Sequence, residues 1–198
     1  MILFGASGHA KSVIDIAESI GLKISLIYDD NPSTEAVCHI PVEKYVSGFS
    51  GQSETWIISI GDNKIRKEVS SKLPQKFGQL IHRTSSNSSW SSIGAGTVVM
   101  AKVVINACVT IGEHCIINSG AVIEHDCILK DFVHISPNAS LAGGVTVGEG
   151  THIGIGVCVI PGIKIGKWVT IGAGTVIIND VPDGAVVVGN PGKIIKRN

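Results

Sequence analysis

The sequence predicts an α/β plus all-β chain, a small Rossmann-like domain followed by a parallel β-helix, and three observations carry that prediction. Every sixth residue from Ile93 to Ile177 is aliphatic without exception. The position three places after each of these is rich in residues that tolerate positive φ, among them Gly96, Gly120, Gly144, Gly150, Gly156, Gly162, Gly174, Asn138, Asp126 and Asp180. Residues 1 to about 80 instead alternate short apolar runs with helical patterns and turns rich in Gly and Asp. A period of six fits neither an amphipathic helix nor a single alternating strand, so each hexad is a short strand plus a turn, and stacked hexads form a solenoid.

The hexad also supplies a second inward residue. Its fourth place is small or β-branched from Thr97 through Val103, Cys115, Ala121, Cys127 and Ala139 to Thr175 and Val181. Three hexads close a triangular coil of eighteen residues, so the aliphatic run makes five coils and rises ~24 Å at ~4.8 Å per layer. The open strand edges at the two ends need cover, which the preceding domain and the tail from Asp180 can give.

In the front domain, residues 1–4 read as a strand, Gly5-Ala-Ser-Gly8 as a turn, and residues 9–20 as a helix with Val13, Ile14, Ala17 and Ile20 inward and Gly21 as its stop. Strands follow over 23–28 and 55–60, a helix over 65–73 and a last strand over 77–81. This is a small parallel α/β sheet, and it places the domain division at residue 80, with the β-helix and tail over 81–198. Ligands of such sheets sit at the carboxyl ends of the strands, which here carry Ser7, Gly8, His9, Asp29, Asp30 and Gly61, with Arg66 one turn into the next helix. Helix amides and Arg66 suit a pyrophosphate, and the aspartates suit ribose or base donors. The competing reading is a turn glycine and a helix cap, because the glycine spacing does not complete the dinucleotide fingerprint.

Composition narrows the function. Lys plus Arg equals Asp plus Glu at 16 each with no basic run, which argues against nucleic acid and for a small substrate. Mean hydropathy is positive at +0.35, yet polar residues and glycines interrupt every apolar run, so no membrane span is expected. The start of the chain lacks a signal-peptide pattern, and its five cysteines are odd in number without metal spacing, which predicts free thiols and a cytoplasmic setting.

On the solenoid, His125 occupies the second turn position of its hexad beside Asp126, and eighteen residues later that column holds Gly143 followed by Gly144. An accessible imidazole beside a carboxylate suits a general base; the alternative is an ordinary solvated corner with Asp126 chosen for its φ. His134 and His152 point outward from successive coils, and Asn118, Ser136, Gly154 and Gly172 form a neighbouring outward column, together suggesting a narrow groove for a long thin ligand. Two histidines without an acid are too few for zinc, and no metal is expected. Phe132 and Trp168 share another corner column, where a neighbouring subunit is the expected cover.

Together these features resemble the sugar acetyltransferases of the PglD and NeuD type within the hexapeptide acyltransferase superfamily. Gly5-Ala-Ser-Gly8-His9, Asp29-Asp30, Ile60-Gly61-Asp62-Asn63-Lys64-Ile65-Arg66-Lys67, Asn118-Ser119, Ile123-Glu124-His125-Asp126-Cys127, His134-Ile135-Ser136 and Gly189-Asn190-Pro191-Gly192-Lys193 carry the resemblance over essentially the whole chain. It implies a homotrimer of left-handed β-helices with active sites between subunits. It further implies His125 as general base with Asp126 as its orienting acid, and nucleotide-sugar contacts from Ser7, Gly8, His9, Asp29, Asp30 and Gly61. Asn118, His134, Ser136, Gly143, Ile155 and Ala173 line an acetyl-CoA channel on the same resemblance. Asp126, Ala173 and Gly192 stand where relatives often have Glu, Gly and Ala. The implied activity is acetyl-CoA-dependent N-acetylation of a nucleotide-linked amino sugar, first a UDP-4-amino-4,6-dideoxy sugar of the bacillosamine type for bacterial surface glycans. The alternatives are O-acetylation of sialic acid or another sugar, N-acetylation of a GDP- or dTDP-amino sugar, and a catalytically silent binding or assembly module.

Overall fold

The computed structural model describes residues 1–46, 54–73 and 76–197. Its front domain runs β1 (Ile2–Phe4), α1 (Gly8–Ser19), β2 (Leu26–Asp29), β3 (Ala36–Val37), β4 (Ile40–Lys44), β5 (Trp56–Ile58) and α2 (Asn63–Ser70). The sheet order is β3-β4-β2-β1-β5, with β4, β2, β1 and β5 mutually parallel and β3 antiparallel on the edge. β1 and β5 are buried along their whole length, as a strand covered on both faces requires. Gly21, at φ 71°, ends α1: its N–H donates to Glu18 O at 3.0 Å and that of Leu22 to Ala17 O at 2.9 Å.

The structure corrects several sequence expectations here. Ala10 and Ile16 join Val13, Ile14 and Ala17 in the core, whereas Ile20 lies past the last helical turn and is 43% exposed. The second helix begins at Asn63, because the Asp62 carboxylate accepts from the N–H groups of Lys64 and Ile65 at 2.9 Å each. The β3–β4 hairpin turns on Cys38 and His39, at φ 46° and 64°, so it lacks the Asn-Gly signature that announces such a turn. The strand expected over 77–81 divides: Phe77 bridges Trp56 in the front sheet, while Leu80–Ile81 pairs with Val98–Val99 in the solenoid.

The solenoid therefore starts two hexads before the strict aliphatic run. Its first face stacks the strands at Leu80, Val98, Ile116, His134, His152 and Thr170; its second runs from Ser86 to Val176 and its third from Ser92 to Lys164. Every parallel pairing between these strands is offset by eighteen residues. Every sixth residue from Gly96 to Gly174 has positive φ, including Lys102, Phe132 and Trp168, so the coil imposes this conformation even where the side chain resists it. Asp180 lies outside that series, because the last hexad leaves the coil. Both inward columns are buried, and Thr97 and Thr151 stay polar inside by donating to Gly112 O and Gly166 O while accepting from the amides of Cys115 and Val169. Ala185–Val188 extends the first face, and Lys193–Arg197 pairs antiparallel on its edge.

The front domain rests on that first face. Leu80, Val98 and Ile116 point outward yet are at most 1% exposed, because Ala10, Val13, Ile14 and Ala17 of α1 pack on them in one cluster. One coil further the same column turns polar at His134, which marks the rim of the covered area.

Candidate active site

Three corners link the faces, and the sequence-selected residues divide among them. The corner between the second and third faces carries His125 and Asp126. His125 Nδ1 lies 2.7 Å from Asp126 Oδ2, and the two side chains are 63% and 64% exposed. A carboxylate accepts only, so Nδ1 bears the proton and the Nε2 lone pair faces outward. Asp126 reaches back because its backbone is left-handed, φ 61°. The ring lies over Gly143 of the next coil, where a Cβ would fall 2.6 Å from Cε1 and 2.7 Å from Nε2. Glycine is thus what lets the imidazole lie flat on the corner, and the Gly143 amide makes no hydrogen bond among the described residues.

The first face and the corner after it hold another group. His134 and His152 stack at 4.7 Å with planes 10° apart. Asn118 Nδ2 lies 3.3 Å from His134 Nε2, and its Oδ1 accepts from the Ser119 amide at 2.8 Å, which fixes the amide orientation. Asn118 therefore donates to Nε2, and the His134 ring proton sits on Nδ1, directed to the Gly61 backbone. Ser136 Oγ meets His152 Nε2 at 2.8 Å. Ile155 and Ala173 lie on the corner that follows, and Ile155 is 58% exposed. The glycines of this column have a packing reason: a Cβ on Gly154 would come within 2.5 Å of Ile171 O, and one on Gly172 within 2.8 Å of Val188 Cγ1. They follow from coil stacking and do not by themselves mark a ligand groove.

In the front domain, Ser7 caps α1 without a side-chain bond and is exposed, as are Gly8 and Asp30. Asp29 is engaged, its oxygens accepting from the amides of Ala6 at 2.8 Å and Asn31 at 2.9 Å, so it shapes the β1 and β2 loops. His9 has a buried Nε2 without a partner, and burial, then the Arg66 charge, lower its pKa to about 4. His134 falls to about 3, through burial first and then His152, Arg66 and His9; His152 is lowered by burial and Arg66. These rings are neutral hydrogen-bonding groups at pH 7.

Arg66 departs from expectation. It is 1% exposed, and its N–H groups donate to the carbonyls of His114, Ile60, Gly61 and Phe132 and to Asn63 Oδ1, so no donor is left for a pyrophosphate. Of the corner aromatics, Phe132 is covered from within the chain, whereas Trp168 stays half-buried. Phe132 is 9% exposed, stacked on His114 at 5.2 Å with Lys67 of α2 above it, and Lys67 Nζ also lies 5.5 Å from the Trp168 ring while pairing with Glu149. Between α2 and this corner opens a cleft of about 1040 Å³ lined by Gly61, Asp62, His134, His152, Trp168 and Thr170. Of the structural anchors here, Asn63 carried no periodic signal: its side chain donates to Gly150 O and Thr151 O across 87 and 88 residues.

The model of the PglD N-terminal domain matches residues 1–73, and that of the bacterial transferase hexapeptide (six repeats) matches residues 91–125 and 144–179. Perosamine N-acetyltransferase from Caulobacter crescentus, solved with CoA and GDP-perosamine in a form with one histidine replaced by asparagine, is 36% identical over 98% of this chain and 96% of its own, with a TM-score of 0.93. The chain belongs to the PglD-type sugar acetyltransferases. As a member of this branch of the hexapeptide acyltransferases, it is an enzyme of the acyltransferase class. The acetyltransferase domain of PglB from Neisseria gonorrhoeae, solved with acetyl coenzyme A, is 35% identical over 98% of each chain with a TM-score of 0.92. WeeI from Acinetobacter baumannii shares the fold, with a TM-score of 0.87 at 24% identity. Among curated proteins, an uncharacterised protein of Acanthamoeba polyphaga mimivirus is 38% identical over 69 residues, which span 34% of this chain and 14% of that protein. Among the described residues no helix is long and apolar enough to cross a membrane.

Proposed function

We propose that this enzyme transfers the acetyl group of acetyl-CoA to the amino group of a nucleotide-linked amino sugar, with His125 as general base and Asp126 as the acid that orients it. The observation that carries the reading is the exposed imidazole with its Nδ1 proton held by Asp126 at 2.7 Å and its Nε2 free over Gly143. From the sugar ammonium Nε2 first takes a proton that leaves to solvent; as the amine nitrogen then adds to the thioester carbonyl Nε2 takes a second, and collapse of the tetrahedral intermediate breaks the C–S bond. The imidazolium then returns the proton to the CoA thiolate. The unpaired Gly143 amide is suited to receive the oxyanion.

Within one chain His125 and Gly143 stand on a different corner from Asn118, Ile155 and Ala173, so these two parts of the proposed site come together only if a second copy completes it. A homotrimer supplies that arrangement, resting on the family resemblance and on this separation. A UDP-linked 4-amino-4,6-dideoxy sugar is the first acceptor to test. A GDP-linked amino sugar is the second, favoured by similarity to the Caulobacter enzyme solved with GDP-perosamine. CoA-thiol release measured with UDP- and GDP-linked 4-amino sugars should show turnover with one of them, and light scattering should give the trimer mass. Thiol release with neither, at millimolar sugar, would overturn the acceptor class.

A further inference from the structure

Arg66 is a buried cation with no carboxylate within ion-pair distance among the described residues. Burying a charge without an acid costs free energy unless every donor is satisfied. Here all five N–H groups are: Nε to His114 O at 2.8 Å, Nη1 to Ile60 O at 3.0 Å and Gly61 O at 3.1 Å, Nη2 to Asn63 Oδ1 at 2.7 Å and Phe132 O at 3.0 Å. The acceptors come from two consecutive solenoid coils, at His114 and Phe132, and from the loop after β5. Asn63 extends the contact to a third coil at Gly150. Both loop carbonyls thus face inward to the guanidinium, and the Gly61 backbone also meets the His134 ring.

Turning the carbonyls inward leaves the loop's amides on the other side. The N–H groups of Gly61 and Asp62 make no hydrogen bond among the described residues, and both residues line the cleft. The geometry points to Arg66 as the positioning residue of the nucleotide site: its fork holds the 60–62 loop so that these two amides receive the diphosphate of the nucleotide-linked sugar. This inference rests on the nucleotide-sugar reading given above. Arg66 touches no ligand; it acts through the loop it fixes, and only a planar guanidinium reaches carbonyls in three directions at once.

The test is calorimetric titration of UDP, GDP and dTDP, each separately, and of acetyl-CoA, into the full-length wild type and the variants Arg66→Lys, Arg66→Met and Asn63→Ser, with Tm recorded for each. Lysine keeps the charge and loses the fork. The expected result is weakening of nucleoside diphosphate binding by about tenfold or more in Arg66→Lys, the scale of a lost hydrogen bond to a charged group, and at least as much in Arg66→Met. Acetyl-CoA affinity should stay within about threefold, because Asn118 and His152 still hold His134. A merely structural role lowers Tm and leaves the affinity of the folded fraction unchanged, so Arg66→Lys with a lower Tm and wild-type nucleotide affinity overturns the proposal. If Arg66→Met does not fold, Arg66→Lys and Asn63→Ser decide the question alone. A wild type that binds acetyl-CoA and none of the three nucleotides overturns the nucleotide reading, and this proposal with it.

Discussion

The corner at His125 and the corner at Phe132 are built from the same hexad, yet they use it in opposite ways. At the first, the turn residues stay in solvent, the chemistry is local to two adjacent residues, and a glycine on the next coil opens room for a ring. At the second, the turn residues are buried under α2, and the polar contacts join segments 48 to 88 residues apart. A repeat can therefore carry a reactive group at little cost in packing on one edge while anchoring a second domain on another. The contrast predicts that changes at the first corner register in rate, and changes at the second in stability and in nucleotide affinity.

The largest test of that contrast is His125→Ala. Turnover should fall ~10²–10⁴-fold, the usual contribution of a general base, while Tm stays within a degree or two because the side chain is mostly solvated. Wild-type turnover in this variant would move the base elsewhere. Gly143→Ala comes next: its Cβ must displace the ring, so kcat should drop by about tenfold or more with the fold intact. Asp126→Asn should cost less than His125→Ala, since an amide oxygen still orients Nδ1–H but does not stabilise the imidazolium; an equal loss would make Asp126 essential in its own right.

The second corner predicts a pH effect on folding. His9 and His114 titrate near 4 in the native protein, lowered first by burial and then by Arg66, whereas the unfolded chain takes up those protons near 6.5. Between these values the unfolded state binds more protons, so stability is full above ~6.5 and is lost as pH falls toward ~4. For His114, 4% exposed, the loss is on the order of 3 kcal/mol. Denaturant titrations at pH 7 and 4.5 should show it, and His114→Phe should flatten the dependence. Asn63→Ala is the smallest change, about 1–3 kcal/mol from carbonyls left unpaired, read as a drop in urea midpoint with His125 chemistry unaffected.

The same contrast explains what could be read before the structure. The hexad run from Ile93 to Ile177 was legible because each coil repeats one local solution, so sequence spacing alone fixes the inward residues and the register of eighteen. His125 and Asp126 were legible for the same reason, since their contact is between neighbours. Arg66 misled because a cation one turn into a helix resembles a phosphate ligand, and only the docking of α2 onto the corner uses up its donors. Phe132 misled likewise: its cover includes a helix some 65 residues away in sequence. Asn63 stood within a motif of the resemblance but gave no sign of its role, because a long-range side-chain-to-carbonyl bond leaves no period in the sequence.

The uniform offset of eighteen gives the molecule a ruler. Equivalent positions on successive coils differ by one step of ~4.8 Å along the axis, and α2 spans two such steps with the contacts of Arg66 and Asn63 at His114, Phe132 and Gly150. A gain or loss of eighteen residues beyond Gly150 would change the length of the solenoid by one graduation and keep all three faces in phase. A gain or loss of six there would keep the core aliphatic but turn every later outward side chain to the next face. Length in this architecture is thus adjustable only in whole graduations, and the front domain is pinned at a fixed mark on the scale.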